Sequence, residues 1–168
     1  MKLYFSGFSL ENEEGLFQEY LEKSDFIVSG FSYGAIKALE YALETKKRVD
    51  KLQLFSPAYF NDKDKKYKRM QLFYFTKDSG QYCEQFLQNA GFSNERSLKY
   101  FNQGTYEQLE ELLEYAWDKE KLQKIVDKNI KIEVFLGEND KIIDANKALE
   151  FFKQFAEVYY IKNKGHIL

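Results

Sequence analysis

The sequence predicts an α/β fold, in which a mostly parallel β-sheet carries helices on both faces. Two observations lead to this prediction. Short apolar runs alternate with stretches whose apolar residues recur at helical spacing, a pattern typical of parallel strands joined by helices. The alternation stops between Pro57 and Asp127, where only helical patterns occur, and then resumes. The 168 residues are expected to form one domain, long enough to bury a hydrophobic core.

Five short apolar runs are the predicted strands. They lie at Leu3–Phe5, Phe26–Ser29, Lys51–Phe55, Ile130–Leu136 and Val158–Ile161. The first run ends at Gly7, and the third is stopped by Ser56-Pro57, both typical breaker residues. The fourth alternates and then becomes wholly apolar, as a buried strand does.

Helical periodicity predicts the elements between the strands. Over 33–46, Ile36, Leu39 and Leu43 recur at helical spacing, and intervening alanines allow close packing on a sheet. Further helical segments are predicted at Leu16–Leu21, Gln81–Asn89, Tyr106–Asp118 and Ala145–Phe155. We interpret residues 57–127 as a helical cap inserted between two strands. The alternative is that these helices merely cover the sheet.

The segment Gly30-Phe31-Ser32-Tyr33-Gly34 joins the second strand to the helix that follows. A serine on so sharp a turn holds its hydroxyl out of the sheet, and flanking glycines let the backbone fold tightly. This is the setting of a nucleophile elbow. Because G-x-S-x-G also occurs in ordinary turns, the interpretation depends on finding a base and an acid for Ser32.

The sequence contains one histidine, His166. A serine hydroxyl needs a base to act as a nucleophile near neutral pH, and imidazole has the matching pKa. His166 follows the last predicted strand and a glycine-containing bend, where the order serine, acid, histidine would put it. Only two residues follow it in this sequence, so we expect it to be weakly tethered.

The acid is sought just beyond the fourth strand, where Gly137-Glu138-Asn139-Asp140 follows the apolar run. A carboxylate there can reach the far nitrogen of the histidine, fix its tautomer and stabilise the imidazolium. We choose Asp140. Glu138 and Asp144 are neighbouring alternatives of the right chemical type.

Charge and cysteine content exclude several classes of protein. A net charge of −2 argues against a general nucleic-acid binder. With one cysteine, Cys83, no intrachain disulfide forms, and no cysteine and histidine cluster exists to hold zinc; we expect neither metal nor cofactor. No apolar run suits a signal peptide or a membrane span. We therefore expect a cytoplasmic protein that does not bind membranes.

The three motifs around Ser32, Asp140 and His166 together resemble the α/β-hydrolases, over essentially the whole chain. Longer strings resemble the small pimeloyl-acyl carrier protein methyl ester esterases of biotin synthesis, the BioV type. These strings are Phe5-Ser6-Gly7-Phe8, Val28-Ser29-Gly30-Phe31-Ser32, Ala35-Ile36-Lys37-Ala38, Leu54-Phe55-Ser56-Pro57, Lys68-Arg69-x-Gln71-Leu72-Phe73 and Lys131-Ile132-Glu133-Val134-Phe135.

The resemblance implies a carboxylesterase that hydrolyses the methyl ester of a pimeloyl chain carried by acyl carrier protein. Ser32 would be the nucleophile, His166 the base and Asp140 the acid, and the backbone N–H groups of Phe8 and Tyr33 would form the oxyanion hole. Two alternatives stay open. The chain could be a general short-chain esterase or thioesterase, or a binding protein on a hydrolase fold without catalytic activity.

A carrier protein is strongly acidic, so its recognition would need positive charge. The stretch from residue 63 to residue 69 supplies five cations against one acid. They are Lys63, Lys65, Lys66, Lys68 and Arg69. We predict that they bind the carrier; the alternative is an ordinary solvated face.

Overall fold

The protein is built on a parallel β-sheet, seen in a computed structural model that describes residues 3–93, 95 and 99–168. Five strands lie side by side in chain order: β1 (Leu3–Phe5), β2 (Ile27–Phe31), β3 (Lys51–Phe55), β4 (Lys131–Gly137) and β5 (Glu157–Ile161). All neighbouring pairs are parallel, so the carboxyl ends of the strands meet at one edge. The predicted strands are confirmed, with small shifts at their ends.

Six α-helices lie wholly within the described part of the chain. They are α1 (Tyr33–Glu44), α2 (Lys65–Lys77), α3 (Ser79–Ala90), α4 (Tyr106–Glu114), α5 (Lys119–Asp127) and α6 (Ala145–Phe152). None of these six is long and apolar enough to cross a lipid bilayer. The helices predicted near α1, α3, α4 and α6 are confirmed, with somewhat different ends.

Two of these helices, α2 and α5, were not predicted as separate elements. Phe75 is the only buried residue of α2, so its lysine-rich sequence carries a weak apolar pattern. The helix predicted at Tyr106–Asp118 ends at Glu114, because Asp118 starts a new one: its side chain accepts a hydrogen bond from Glu120 N–H and caps α5. The segment predicted at Leu16–Leu21 begins earlier, as a 3-10 helix over Glu13–Phe17.

The two faces of the sheet are covered differently. Alternate residues such as Val28, Leu54 and Val134 belong to the core that includes α1, α5 and α6. On the opposite face, Phe31, Phe55 and Phe135 lie at matching register positions on neighbouring strands. The Phe17 ring of the 3-10 helix lies 4.8 Å from the rings of both Phe31 and Phe55. This aromatic row lies beside the carboxyl edge of the sheet.

The segment between β3 and β4 contains helices with two kinds of packing. Helix α2 packs against α3 and α4, whereas α5 packs against α1 and β4 and therefore covers the sheet. The Trp117 indole N–H donates to Ala58 O over 2.9 Å, which fastens the end of this segment to its beginning. The cap interpretation of residues 57–127 stays a prediction. Residues 94 and 96–98 of that range lie outside the described residues.

Helix α1 begins in close contact with the chain that follows β1. A Cβ atom on Gly34 would overlap the backbone carbonyl groups of Phe5 and Ser6. No side chain can therefore be accommodated at this position without moving backbone atoms. The contact brings the beginning of α1 against the loop after β1, at the carboxyl edge of the sheet.

Substitution of Gly34 by alanine is expected to destabilise the fold by about 3 kcal/mol or more, because the new methyl group has to displace backbone rather than a flexible side chain. Gly15 is the matched control, since a Cβ built there meets no atom within 4 Å. Circular dichroism during thermal unfolding measures both variants. Equal melting temperatures of Gly34→Ala and Gly15→Ala would contradict the close contact.

Candidate active site

Ser32 lies at the sharp turn between β2 and α1. Its backbone has φ 53° and ψ −113°, a conformation that costs energy for a residue with a side chain. Three backbone hydrogen bonds hold it there. Ser32 N–H donates to Phe55 O over 2.9 Å, and Ser32 O accepts from Ala35 N and Ala58 N, each over 3.1 Å. The hydroxyl is thereby held at the carboxyl edge of the sheet.

Ser32, His166 and Asp140 form one continuous chain of hydrogen bonds. His166 Nε2 lies 2.8 Å from Ser32 Oγ, and His166 Nδ1 lies 2.6 Å from Asp140 Oδ2. A carboxylate only accepts hydrogen bonds, so Nδ1 donates to Asp140 and Nε2 is left to accept the serine proton. Ser32 and His166 are each 1% exposed, and this burial strengthens the electrostatic interactions among the three groups.

The structure distinguishes Asp140 from the two alternative acids. The second oxygen of Asp140 accepts from the backbone N–H groups of Ile142 and Ile143, at 2.7 and 3.0 Å, which fix the carboxylate beside the histidine. Glu138 is exposed and accepts from Asn163 N–H. Asp144 caps α6 by accepting from Lys147 N–H over 3.0 Å. Asp140 is thus the member of the three that contacts His166.

The loop that carries His166 is anchored, contrary to the expectation of a weakly tethered residue. Ser56 Oγ donates to His166 O over 2.6 Å. Ile167 N–H donates to Ala90 O over 3.2 Å, and Leu168 is buried with the aromatic row. A Cβ on Gly137 would overlap the carbonyl oxygen of Gly165, so the end of β4 lies directly against this loop. The role of Ser56 was missed, because a single serine at a strand end gives no sequence signal.

The backbone N–H groups of Phe8 and Tyr33, predicted as an oxyanion hole, both lie in segments that meet at this edge. Phe8 follows Gly7 in a turn closed by Leu10 N–H to Gly7 O, and Tyr33 is the first residue of α1. No hydrogen bond from either amide occurs within the residues that the structure describes. The first amides of a helix have no partner inside it and carry its positive dipole end, so the Tyr33 amide is available to a bound anion. The Phe8 amide lies in a loop and is likewise unpaired among the described residues.

A cavity of about 590 Å³ lies between the helices of the β3–β4 segment and the loop after β4, and Ser32, Asp140 and His166 are not among the residues that line it. It borders the site through Ile142, whose amide holds Asp140, and through Phe86, whose ring packs edge-on against Phe8 at 5.2 Å. Its lining mixes aromatic residues with amide and hydroxyl groups. These include Phe60, Tyr67, Gln71, Tyr82, Gln85 and Phe86. A cavity of this volume is in the usual range of ligand pockets, about 300–1,000 Å³.

The side chain of Tyr33 connects the turn at Ser32 to α4. Its hydroxyl donates to Glu111 over 2.9 Å, and Lys37 of α1 forms an ion pair with the same carboxylate at 2.6 Å. Burial raises the pKa of Tyr33, so the phenol remains a donor near neutral pH. The residue after Ser32 is thereby held by the β3–β4 segment.

The five cations predicted to bind a carrier lie at the start of α2 and just before it. Lys65, Lys66 and Arg69 are exposed, whereas Lys68 is half-buried. Lys63 is half-buried as well, and its ammonium lies 3.5 Å from Asp62 and over the Tyr67 ring. None of the five belongs to the hydrogen-bonded chain of Ser32. Lys66 and Arg69 share a surface with two exposed apolar side chains of α2, Met70 at 38% and Phe73 at 58%.

No family model matches the sequence, and the search of curated proteins found no match. Solved structures with the same fold were found. Naproxen esterase (carboxylesterase NP) from Bacillus subtilis is 21% identical, with a TM-score of 0.55 over 84% of this chain and 53% of that one. The chain therefore spans about half the length of that esterase.

Two further structures match over nearly the whole chain. BioG from Haemophilus influenzae is 12% identical, with a TM-score of 0.63 over 99% of this chain and 88% of that one. Olei00960, a hydrolase from Oleispira antarctica, is 10% identical, with a TM-score of 0.70 over 99% of this chain and 84% of that one. These likenesses show that the chain has an α/β-hydrolase fold.

The hydrogen-bonded chain from Ser32 through His166 to Asp140 predicts that Ser32 is reactive and that its reactivity depends on Asp140. In Asp140→Asn the histidine loses the acceptor that fixes its tautomer, so the rate of Ser32 phosphonylation by a fluorophosphonate should fall by about 1,000-fold or more. Gel fluorescence of a dye-linked reagent over time measures this rate.

Asp144→Asn is the matched control, because Asn also caps helices and Asp144 does not contact His166. It should label at nearly the wild-type rate, and Ser32→Ala should not label. Equal rates for Asp140→Asn and Asp144→Asn would exclude Asp140 as the acid.

Proposed function

We propose that the protein is a carboxylesterase in which Ser32 forms an acyl-enzyme. The observation that carries this proposal is the buried hydrogen-bonded chain from Ser32 through His166 to Asp140, at the carboxyl edge of an α/β-hydrolase sheet. Nucleophile, base and orienting acid stand in hydrogen-bond contact, which is the arrangement that activates a serine for acyl transfer.

The reaction takes place in two halves. Ser32 Oγ attacks the ester carbonyl while His166 Nε2 takes its proton, and Asp140 stabilises the imidazolium. The alcohol then leaves with that proton, and an acyl group remains on Ser32. In the second half, His166 removes a proton from water, which attacks the acyl group; His166 then returns this proton to Ser32 Oγ as the carboxylic acid leaves, which restores the free serine.

Negative charge develops on the carbonyl oxygen in both halves. The free amides of Phe8 and Tyr33 would donate to it, and removal of one such donor typically costs about 3 kcal/mol of transition-state stabilisation. The contact of Gly34 with Phe5 and Ser6 supports this role, since it fixes the start of α1 against the segment that leads to Phe8.

We further propose that the substrate is the methyl ester of a pimeloyl chain on acyl carrier protein, which would yield methanol and the pimeloyl-carrier product. The sequence strings that resemble the BioV-type esterases support this choice, and so does the likeness to BioG along nearly the whole chain. A general short-chain carboxylesterase is the second candidate, which the likeness to naproxen esterase favours.

Turnover of two substrates tests the proposed function. The purified protein should hydrolyse pimeloyl-carrier methyl ester with a higher kcat/KM than 4-nitrophenyl butyrate, and Ser32→Ala should hydrolyse neither. In cells, the wild-type gene should restore growth without biotin to a strain that lacks its own pimeloyl ester esterase. Preference for the nitrophenyl ester without rescue would favour the general esterase. No turnover of either ester would contradict both candidates and leave a non-catalytic binding protein.

The carrier is proposed to dock on the cations at the start of α2. Lys66 and Arg69 are exposed beside Met70 and Phe73, and a surface that combines cations with apolar groups is complementary to an acidic protein that also buries some apolar surface. Lys65 adds charge on the same exposed turn. Lys63 and Lys68 are half-buried, so their contribution would be smaller.

Charge reversal at Lys66 and Arg69 is expected to lower kcat/KM for the carrier-bound ester by about 10-fold, because electrostatic steering raises association rates by that order or more. The double variant Lys66→Glu/Arg69→Glu should hydrolyse 4-nitrophenyl butyrate at the wild-type rate. Steady-state kinetics at low and physiological salt measures both substrates.

Lys119→Glu/Lys124→Glu is the control with the same change of net charge, at exposed positions of α5. It should leave both rates unchanged. If the two double variants lose the same activity on the carrier-bound ester, net charge rather than a docking surface is responsible.

A further inference from the structure

Glu13 is a fully buried carboxylate that the hydrogen-bonded chain of Ser32 does not involve. Its side chain is 0% exposed. Oε1 accepts from Gly7 N–H over 2.8 Å and from the Tyr4 hydroxyl over 3.0 Å. Oε2 is buried and has no hydrogen-bond partner among residues 3–93, 95 and 99–168. Burial, and then the charge of Glu13, raise the pKa of Tyr4, which therefore stays a donor.

Such a residue is costly to the fold. A carboxylate that is transferred from water to the protein interior loses its hydration energy. An oxygen without a hydrogen-bond partner, such as Oε2 of Glu13, regains none of that energy. An apolar residue of similar size in the 3-10 helix would avoid this cost. What Glu13 provides in return is an acceptor for one particular amide, that of Gly7.

Gly7 immediately precedes Phe8. The peptide groups on either side of Gly7 are each held by a hydrogen bond to a different residue. Its N–H is held by Glu13, and its carbonyl oxygen accepts from Leu10 N–H over 3.2 Å. A trans peptide group is planar, so the Phe8 N–H points opposite to the Gly7 carbonyl. Fixing both sides of Gly7 therefore sets the direction of the Phe8 N–H.

The far end of this loop is fastened independently. Gly104 N–H donates to Ser9 Oγ over 2.9 Å, and Asn102 N–H donates to Ser9 O over 3.0 Å. Glu11 N–H donates to Tyr100 O over 2.8 Å. These bonds hold residues 9–11 whether or not Glu13 is present. Loss of the Glu13 side chain should therefore release the Ser6–Gly7 peptide, and with it one of the two constraints on the direction of the Phe8 N–H, without unfolding the loop.

We infer that Glu13 is a positioning residue of the oxyanion hole, which aims the Phe8 amide by holding the Gly7 amide in place. This inference rests on the proposed function. It requires Glu13 to act on the transition state, where charge lies on the carbonyl oxygen, and not on the binding of the uncharged ester.

Four variants with 4-nitrophenyl butyrate test the inference. In Glu13→Ala, kcat should fall by about 10- to 100-fold with little change in KM, since a misdirected donor loses part of the 10²- to 10³-fold effect of a missing one. Glu13→Gln retains an acceptor for Gly7 and should keep kcat within a few-fold of wild type. Tyr4→Phe removes the other hydrogen bond to Oε1 of Glu13, and its kcat should also stay within a few-fold of wild type. Glu14→Ala, at the exposed neighbouring position, is the control and should behave as wild type.

A second readout separates positioning from stability. Phenylboronic acid forms a tetrahedral adduct with an active-site serine, so its Ki should rise in Glu13→Ala in proportion to the loss of kcat. Should Glu13→Ala fail to fold, Glu13→Asp is measured in its place, because its shorter side chain withdraws the carboxylate from Gly7. A folded Glu13→Ala or Glu13→Asp with wild-type kcat overturns the inference, as does a change in KM alone.

Failure of the proposed function would be seen separately. If the wild-type protein hydrolyses neither the nitrophenyl ester nor the carrier-bound ester, the esterase proposal fails, and the inference about Glu13 fails with it. If the wild-type protein is active and Glu13→Ala matches it, only the inference about Glu13 is wrong.

Discussion

Direct contact between backbone segments at the carboxyl edge of the sheet is the constraint on which the rest of the site depends. Gly34 lies against Phe5 and Ser6, and Gly137 lies against Gly165, in each case with no room for a side chain. The first contact joins the serine turn to the loop of Phe8, and the second joins the acid loop to the histidine loop. Parallel strands bring their ends to one edge, and the glycines bring them close enough for hydrogen bonds.

The sequence predicted the parts of this protein that depend on local pattern and chain order. Ser32, Asp140 and His166, which the structure brings into hydrogen-bond contact, could be singled out because strand ends follow apolar runs and because one histidine leaves a single candidate base. The fold class followed from the same alternation. Helix α2 was missed because it buries only Phe75, and an apolar stripe is what makes a helix visible in a sequence.

Residues whose importance comes from distant contacts could not be found in this way. Ser56 donates a hydrogen bond to the backbone of His166, 110 positions away, and the sequence around Ser56 contains no pattern that predicts this contact. Glu13 appears in the sequence as one of several surface-type acids between Glu11 and Glu14, yet it alone of these is buried. Glu13 becomes buried and hydrogen-bonded only when the loop after β1 folds over it. Such residues are recognised by burial and hydrogen bonding.

The hydrogen bonds of His166 span very different lengths of chain. Asp140 is 26 residues away, within the unit formed by β4, α6 and β5, whereas Ser32 is 134 residues away. Asp140 and His166 can therefore meet within one local unit, but Ser32 joins them only when the two halves of the sheet have paired through β3. An incompletely folded chain would hold a serine without a base. The complete chain of hydrogen bonds thus arises only together with the complete native sheet, so a partly folded molecule would lack the contact on which the proposed activity rests.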